Sequence, residues 1–420
     1  MIGTRFVGRL LVGVALVALV GCSSSSSSSS STSTTAGTPS GPVRGFDGTT
    51  IRVASLGIKG QLPSVEVGAR GRIKRFNDTN ELKGVKIEYV EFADDKLDPT
   101  TALNEARRLV TEQKVFAIVG DASANNPGQY LAQQHVPYFG YGFDNTYCSD
   151  KPNPAIWAFS FIGCLVPADP KVLPDSVTPM YDYVAKQTGK QHPSIATIAT
   201  DIDSGHKDVA HGNLELTSVG FSTPKVVYLT PPPVSDYTPY IQNLMHSDDG
   251  HAPDVIQCRV VTDCIPMWDK LQAAGFKGMY FHTLYSDLLL KAMKGSIVGI
   301  GWANMSDPTP ARDQMKADVA AVKPDQGLDI GIAAGYFGAD MFIAALKTAA
   351  AGGVSKITPE SVQAAAARMT YEIKGLVGPT RYPASTVVPT PTCSSYMLDD
   401  GTTWKTVVPF TCTSNTFAVK

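Results

Sequence analysis

The sequence predicts an α/β protein built as two lobes, each a parallel sheet covered by helices on both faces. Three observations lead there. Short apolar strand patterns alternate with helical patterns from Thr50 onward, as parallel sheets wrapped by helices require. The alternation stops at a Pro-rich stretch near residues 166–179 and then starts afresh. The folded part of this 420-residue chain is also too long for one hydrophobic core and suits two.

In the first series, residues 51–56 read as a strand, and Val65, Ala69, Ile73 and Phe76 fall at helical spacing. Residues 85–90 return to strand. Asp98-Pro99 then reads as an N-cap with a first-turn proline, opening a helix that carries Ala102, Leu103, Ala106, Leu109 and Val110. The apolar run 115–119, ending at Gly120, reads as a buried parallel strand, and 136–139 as the next one. In the second series, 195–199, 225–229, 254–257 and 278–281 are strands, with helices after Gly205, over 236–245 and over 266–274, the last closed by Gly275. Further on, 338–351 is an Ala-rich apolar helix, and Thr358-Pro359-Glu360 starts another. Beyond Gly375 the chain turns to β, with an Asp-Gly turn at 400–401.

The N-terminus reads as an address. Arg5 and Arg9 precede an apolar run, 10–20, too short to span a bilayer and suited to a signal peptide. The run ends in Leu19-Val20-Gly21-Cys22, which resembles a bacterial lipobox, so Cys22 is the expected lipidation site; an ordinary secretory signal with a chance cysteine is the alternative. Residues 1–21 are then a leader, and the Ser-rich segment 22–48 a flexible tether. Attachment to a membrane through an N-terminal lipid, on the extracytoplasmic side, is the expected localisation (a periplasm or an outer cell face). Composition is ordinary for a globular domain, with 43% hydrophobic and 18% charged residues. No basic block exists, so nucleic acid is not an expected partner.

With Cys22 set aside, six cysteines remain: Cys148, Cys164, Cys258, Cys264, Cys393 and Cys412. Neighbours in sequence close the shortest loops, which suggests the disulfides 148–164, 258–264 and 393–412. A metal site is the competing reading, but CxxC and HxxxH spacings are missing.

In open α/β sheets, ligands bind outside the carboxyl ends of the strands. The loops of interest are therefore 61–64, 121–126, 140–145, 203–206, 258–263 and 282–287. The ordered set Gly68 to Asp78, Lys83 to Val90, Asp94-Asp95, Asp98-Pro99, Ala106 to Val110 and Ala117 to Gly120 resembles the leucine/branched-chain amino-acid-binding proteins of type I topology. Asp201 to Gly205, Asp236 to Ile241, Gly335-Tyr336, Thr358 to Ser361 and Asp400 to Trp404 extend the likeness over roughly residues 50 to 410. The resemblance implies a three-strand hinge between two Rossmann-like lobes, at 49–165 plus 303–374 and at 166–302 plus 375–410. It implies a solute-binding protein of an ABC importer, with permease and ATPase subunits as partners and a small polar or amino-acid-like ligand in the cleft.

By the same resemblance, Ser123, flanked by Ala122 and Asn125, matches the position that holds a ligand carboxylate; a loop before a helix offers N–H groups to an anion. A capping serine is the alternative. Tyr141-Gly142 matches a second contact, with packed core the alternative for Tyr141. The second lobe departs from the pattern. Ser204 stands where an aromatic is usual, Val260 or Val261 beside Cys258 where a tyrosine is usual, and Thr283 where an acid would meet an ammonium. A buried ammonium without a carboxylate is costly. Asp203, Tyr285 or Asp287 could substitute, or be merely solvated or packed.

The chain contains no GxSxG, HExxH or P-loop, and Gly299-Ile-Gly301 with Asn304 lacks the last glycine of GxGxxG. His192, His211, His246 and His251 lack metal spacing. The expected protein is not an enzyme and carries neither cofactor nor metal. A sensing lipoprotein that feeds a membrane partner and a structural envelope lipoprotein are the alternatives.

Overall fold

A computed structural model describes residues 43–418, except 126, 144, 149–154, 164, 166–171, 223–224, 232, 261–262 and 382–391. Cys22, the leader and most of the tether thus lie outside the described residues, as does Cys164.

In chain order the strands are β1 (Thr50–Gly57), β2 (Lys86–Asp94), β3 (Ala117–Asp121), β4 (Tyr138–Gly140), β5 (Ala158–Ser160), β6 (Val172–Pro174), β7 (Ile195–Thr200) and β8 (Lys225–Leu229). They continue as β9 (Val255–Cys258), β10 (Met279–His282), β11 (Ile297–Ile300), β12 (Thr370–Ile373), β13 (Val377–Arg381), β14 (Thr392–Asp399), β15 (Trp404–Thr413) and β16 (Thr416–Ala418). The helices are α1 (Val65–Asp78), α2 (Pro99–Thr111), α3 (Gly128–Gln133), α4 (Thr178–Thr188), α5 (Asp203–Val219), α6 (Thr238–Met245), α7 (Cys264–Ala273), α8 (Pro310–Ala320), α9 (Ile330–Ala349) and α10 (Pro359–Ala366).

Two sheets carry the fold. The first, β2-β1-β3-β4-β5, is parallel throughout. The second runs β15-β14-β11-β10-β9-β7-β8; its β8 to β11 part is parallel, and β14 and β15 join antiparallel. The central strands are buried on both faces, which is why they read as apolar runs, whereas the edge strands β2, β8 and β15 are partly exposed. Val65, Ala69, Ile73 and Phe76 of α1 and most of α9 cover one face of the first sheet, and Ala106, Leu109, Val110 and Leu131 cover the other. On the second sheet, Ile241, Leu244, Met267 and Leu271 of α6 and α7 pack on Ile198 and Ile256. Met180, Val184 and Leu216 of α4 and α5 pack on Ile195, Val255 and Phe281 of the opposite face.

The α1–α9 crossing is unusually close. A Cβ at Gly335 would lie 2.0 Å from the Val65 carbonyl oxygen, and one at Gly68 2.4 Å from that of Ile332. The bare glycines let the backbones touch. Helix α9 is long and apolar enough to cross a membrane, but most of it is buried against α1 and the first sheet.

Between the two sheets, three segments run side by side. Trp302 bridges Val377, the Ala303 amide donates to Leu376 O at 2.8 Å, and the Thr380 hydroxyl donates to Phe161 O at 2.6 Å. These are the segments that follow β5 and β11, together with β13. Among the described residues the disulfides Cys258–Cys264 and Cys393–Cys412 are complete, and Cys148 is disulfide-bonded as well.

Candidate functional site

The carboxyl ends of the strands carry the loops singled out in the sequence, and the two lobes treat them differently. On the first lobe, the residues around Ser123 are knitted into the sheet. Ala122 extends it, its amide donating to Leu56 O at 2.9 Å. Ser123 is fully buried, and its hydroxyl donates to Asp95 Oδ2 at 2.6 Å. Asn125 Nδ2 donates to the same oxygen at 3.2 Å, and the Leu97 amide donates to Asp95 Oδ1 at 2.9 Å. Burial pushes the Asp95 carboxyl upward against these three donors. Ser123 thus faces inward, and the half-exposed neighbours Ala124 and Asn125 form the outer edge of the loop.

Tyr141 is buried, stacked on Phe143 at 4.2 Å and edge-on to Phe161 and Trp302. Desolvation raises its phenol above the ordinary range. Gly142 has φ +90°, and a Cβ there would sit 2.9 Å from Ser160 Oγ, so glycine is demanded twice over.

On the second lobe, Asp203 and Ser204 open α5, directly after the end of β7; their side chains lie outside the description. Cys258 ends β9, fully buried and bonded to Cys264 at the start of α7, so the disulfide closes the strand-end loop that contains Arg259. Thr283 is exposed. Tyr285 is buried against Trp404, and its hydroxyl meets Ser306 Oγ at 3.1 Å. Asp287 accepts the Leu328 amide at 3.1 Å. Nearby His282 is fully enclosed, and burial lowers it to about 3, so its imidazole is neutral and accepts the Leu284 amide.

Sequence reasoning passed over a polar seam between α5 and the second sheet. Thr197 and Gln257 are register partners on β7 and β9, and their side chains share the face that α5 covers. Thr197 Oγ1, Gln257 Oε1 and His211 Nδ1 are buried without hydrogen-bond partners. Arg259, two residues beyond Gln257, extends that face at the carboxyl end of the sheet, its amide donating to Ile198 O at 2.8 Å. Its Nε lies 3.0 Å from Asp208. Its guanidinium lies against Gly212, where a Cβ would come within 1.7 Å of Nη1. Glu215 accepts the Ser176 hydroxyl at 2.7 Å, and burial pushes it up to about 7 in spite of that bond and of Arg259. The strand-end position of Arg259 was a legible signal; its approach to α5 was not.

The described residues contain no group of three His, Cys, Asp or Glu placed to hold a metal. A shallow cavity of about 400 Å³ lies away from these loops, on the outer flank of the first lobe, between Arg70, Lys74, Tyr89 and Val322.

The periplasmic binding protein family model matches residues 58–398. The chain belongs to that family. Membership makes it a solute-binding protein rather than an enzyme and places it outside the cytoplasm. Similar solved structures include a branched-chain amino acid ABC transporter protein from Thermus thermophilus with bound valine, at 13% identity and TM-score 0.68, covering 87% of this chain and 97% of that one. A fatty acid ABC transporter substrate-binding protein from Thermomonospora curvata matches at 16% and 0.67, covering 89% and 95%. A solute-binding protein from R. palustris in complex with benzoate matches at 12% and 0.65, covering 87% and 98%. At such identities these likenesses speak for the type I fold. No curated protein sequence matches the chain.

Proposed function

We propose that this chain is the capture subunit of an ABC importer, lipid-anchored at Cys22, that closes two lobes over a small molecule and delivers it to a permease and its ATPase. The lobes are residues 49–165 plus 303–374 and 166–302 plus 375–410. The observation that carries the reading is the trio of adjacent segments between the two sheets, tied by Trp302–Val377, Ala303–Leu376 and Thr380–Phe161. Three connections side by side let the lobes rock about one axis while each sheet stays rigid, and a ligand favours closure by touching both lobes. The ligand meets loop 122–125 and Tyr141-Gly142 on one lobe. On the other it meets the start of α5 at 203–204, the loop after Cys258, and Thr283 to Tyr285. Fold relatives that hold valine and benzoate support a small organic solute.

The test is a thermal-shift and small-angle scattering screen of residues 49–420, oxidised, against amino acids, organic acids, amides and polyols. A true ligand raises stability by about 2.7 kcal/mol at a hundredfold excess over Kd, and shrinks the radius of gyration. A folded protein that neither gains stability nor closes with any compound overturns the proposal. Radiolabelled palmitate should enter the wild-type chain in a bacterial host and not Cys22→Ser; equal labelling overturns the anchor.

A further inference from the structure

We infer that loop 285–287 of the second lobe and segment 328–330 of the first form a clasp that holds the cleft closed before any solute arrives. The inference rests on the capture reading above and concerns the regulation of the same cleft.

The two segments are attached to different sheets. Residues 283–296 join β10 to β11, both strands of the second sheet. Residues 328–330 lead into α9, which packs on α1 and the first sheet. Asp329 fixes that attachment. It caps α9 by accepting the Ile332 amide at 2.7 Å, and it accepts the hydroxyl of Ser64, the residue before α1, at 2.6 Å. The loop is fixed to its own side as well. Tyr285 packs against Trp404 at the start of β15, and His282, at the end of β10, accepts the Leu284 amide at 3.1 Å.

Between these two anchored segments the backbones pair as a minimal antiparallel ladder. Ser286 and Asp329 are bridge partners. The Ile330 amide donates to Tyr285 O at 2.9 Å, and the Asp287 amide to Leu328 O at 3.1 Å. The Leu328 amide donates to the Asp287 carboxylate itself, at 3.1 Å to Oδ2. Tyr285, Ser286, Leu328 and Ile330 are all buried, so these bonds are shielded from water and parting them uncovers polar groups that must be rehydrated.

The chain crossings between the sheets are covalent and persist whether the lobes stand apart or together. The clasp consists of hydrogen bonds alone, between residues some forty positions apart in the chain, and it is lost if the lobes separate there. Its differential contacts favour closure in the way that a solute's do. It also continues directly from Thr283 to Tyr285, which the capture reading gives to the solute, so clasp and solute act on one loop. Affinity for the solute then includes a contribution from residues that never touch it, because the competent closed state is already populated.

The experiment is hydrogen exchange combined with small-angle scattering on the oxidised mature chain without solute, kept free of lipid by Cys22→Ser. Asp287→Ala removes the side-chain acceptor. Ile330→Pro removes the amide that reaches Tyr285 and spares α9: Ile330 is the first residue of that helix and follows an extended Asp329 (φ −148°, ψ 175°), a setting that proline tolerates. Ile330→Ala keeps the amide and controls for the lost side chain. In wild type the Asp287, Leu328 and Ile330 amides should exchange at least about a hundredfold more slowly than unstructured peptide. Leu328 should exchange about tenfold faster in Asp287→Ala and in Ile330→Pro, and the radius of gyration should grow in both. It should stay at the wild-type value in Ile330→Ala. Wild-type clasp amides that exchange like unstructured peptide overturn the inference. So does a radius of gyration that stays at the wild-type value in either clasp variant, or that grows equally in Ile330→Ala. None of these results touches the capture reading, which stands or falls on the solute screen.

Discussion

The strand-end loops of the two lobes are built on opposite plans. In the first lobe, polar groups that leave the sheet find partners at once: Asp95 gathers Ser123, Asn125 and Leu97, and Asp121 takes the Tyr147 hydroxyl. In the second, the layer between the sheet and α5 behind the strand ends holds Thr197, Gln257 and His211 with buried polar atoms unmatched, and Arg259 is ion-paired to Asp208. A satisfied polar cluster rigidifies, whereas an unsatisfied one carries a desolvation cost that only a newcomer can relieve.

Substitutions can break that contrast. The largest effect is expected from Asp95→Ala, which strips three donors of their acceptor in a buried site. It should cost about 3 kcal/mol in urea unfolding at pH 7; a loss below about 1 kcal/mol would show that the first wall does not depend on this carboxylate. Next comes Glu215, faced by Arg259, Asp208, Asp175 and Tyr396. Its folded value near 7 lies above the unfolded one. The native state therefore holds a proton that the unfolded chain has released, and stability from this group falls as pH rises from about 4.3 to 7 and stays low above. Glu215→Gln should then stabilise the protein at pH 8 by about 1–2 kcal/mol, allowing for its residual solvent contact, with little change at pH 4. Equal effects at both pH values would contradict this. The smallest effect is expected from Thr197→Val, which removes an unpartnered hydroxyl at constant shape and should be neutral or stabilising by up to about 1 kcal/mol. Ser123→Ala, its counterpart in the first lobe, should instead destabilise by about 1–2 kcal/mol. The two changes having the same sign in thermal melts would erase the distinction between the walls.

Much of the fold was legible because local signals and packing agree. Asp98 caps α2 by accepting the Thr101 amide, and Thr358 caps α10 in a reciprocal box with Ser361. Helix α9 begins at Ile330, eight residues before the Ala-rich pattern suggested. Asp329 caps it, and its first turns are buried on every side, which leaves no amphipathic stripe to read. Helix α8 went unread although Thr309-Pro310 carries the same Thr-Pro signature as Thr358-Pro359. Strand β3 begins two residues later than its apolar run, because Val115 and Phe116 bury their side chains before the ladder starts. The site was harder to read. Whether Ser123 or Ala124 faces outward is decided by Asp95, far away in sequence. Arg259 was passed over for the valines beside it, because its contact with Asp208 and Gly212 of α5 joins segments that spacing alone does not bring near.

The order in which the chain is made has a consequence for the α1–α9 crossing. The first sheet and α1 are complete by Ser160, yet the helix that seals their core begins at Ile330, after every parallel strand of the second sheet has been made. At ordinary synthesis rates of about 5–20 residues per second, that interval is roughly ten seconds or more. Until α9 arrives, the side of α1 around Gly68 and Val65 lacks its partner, and the core of the first sheet stays open there. A chain bound for the far side of a membrane gains from such a delay: it stays threadable while it is exported, and it locks only when nearly all of it has emerged.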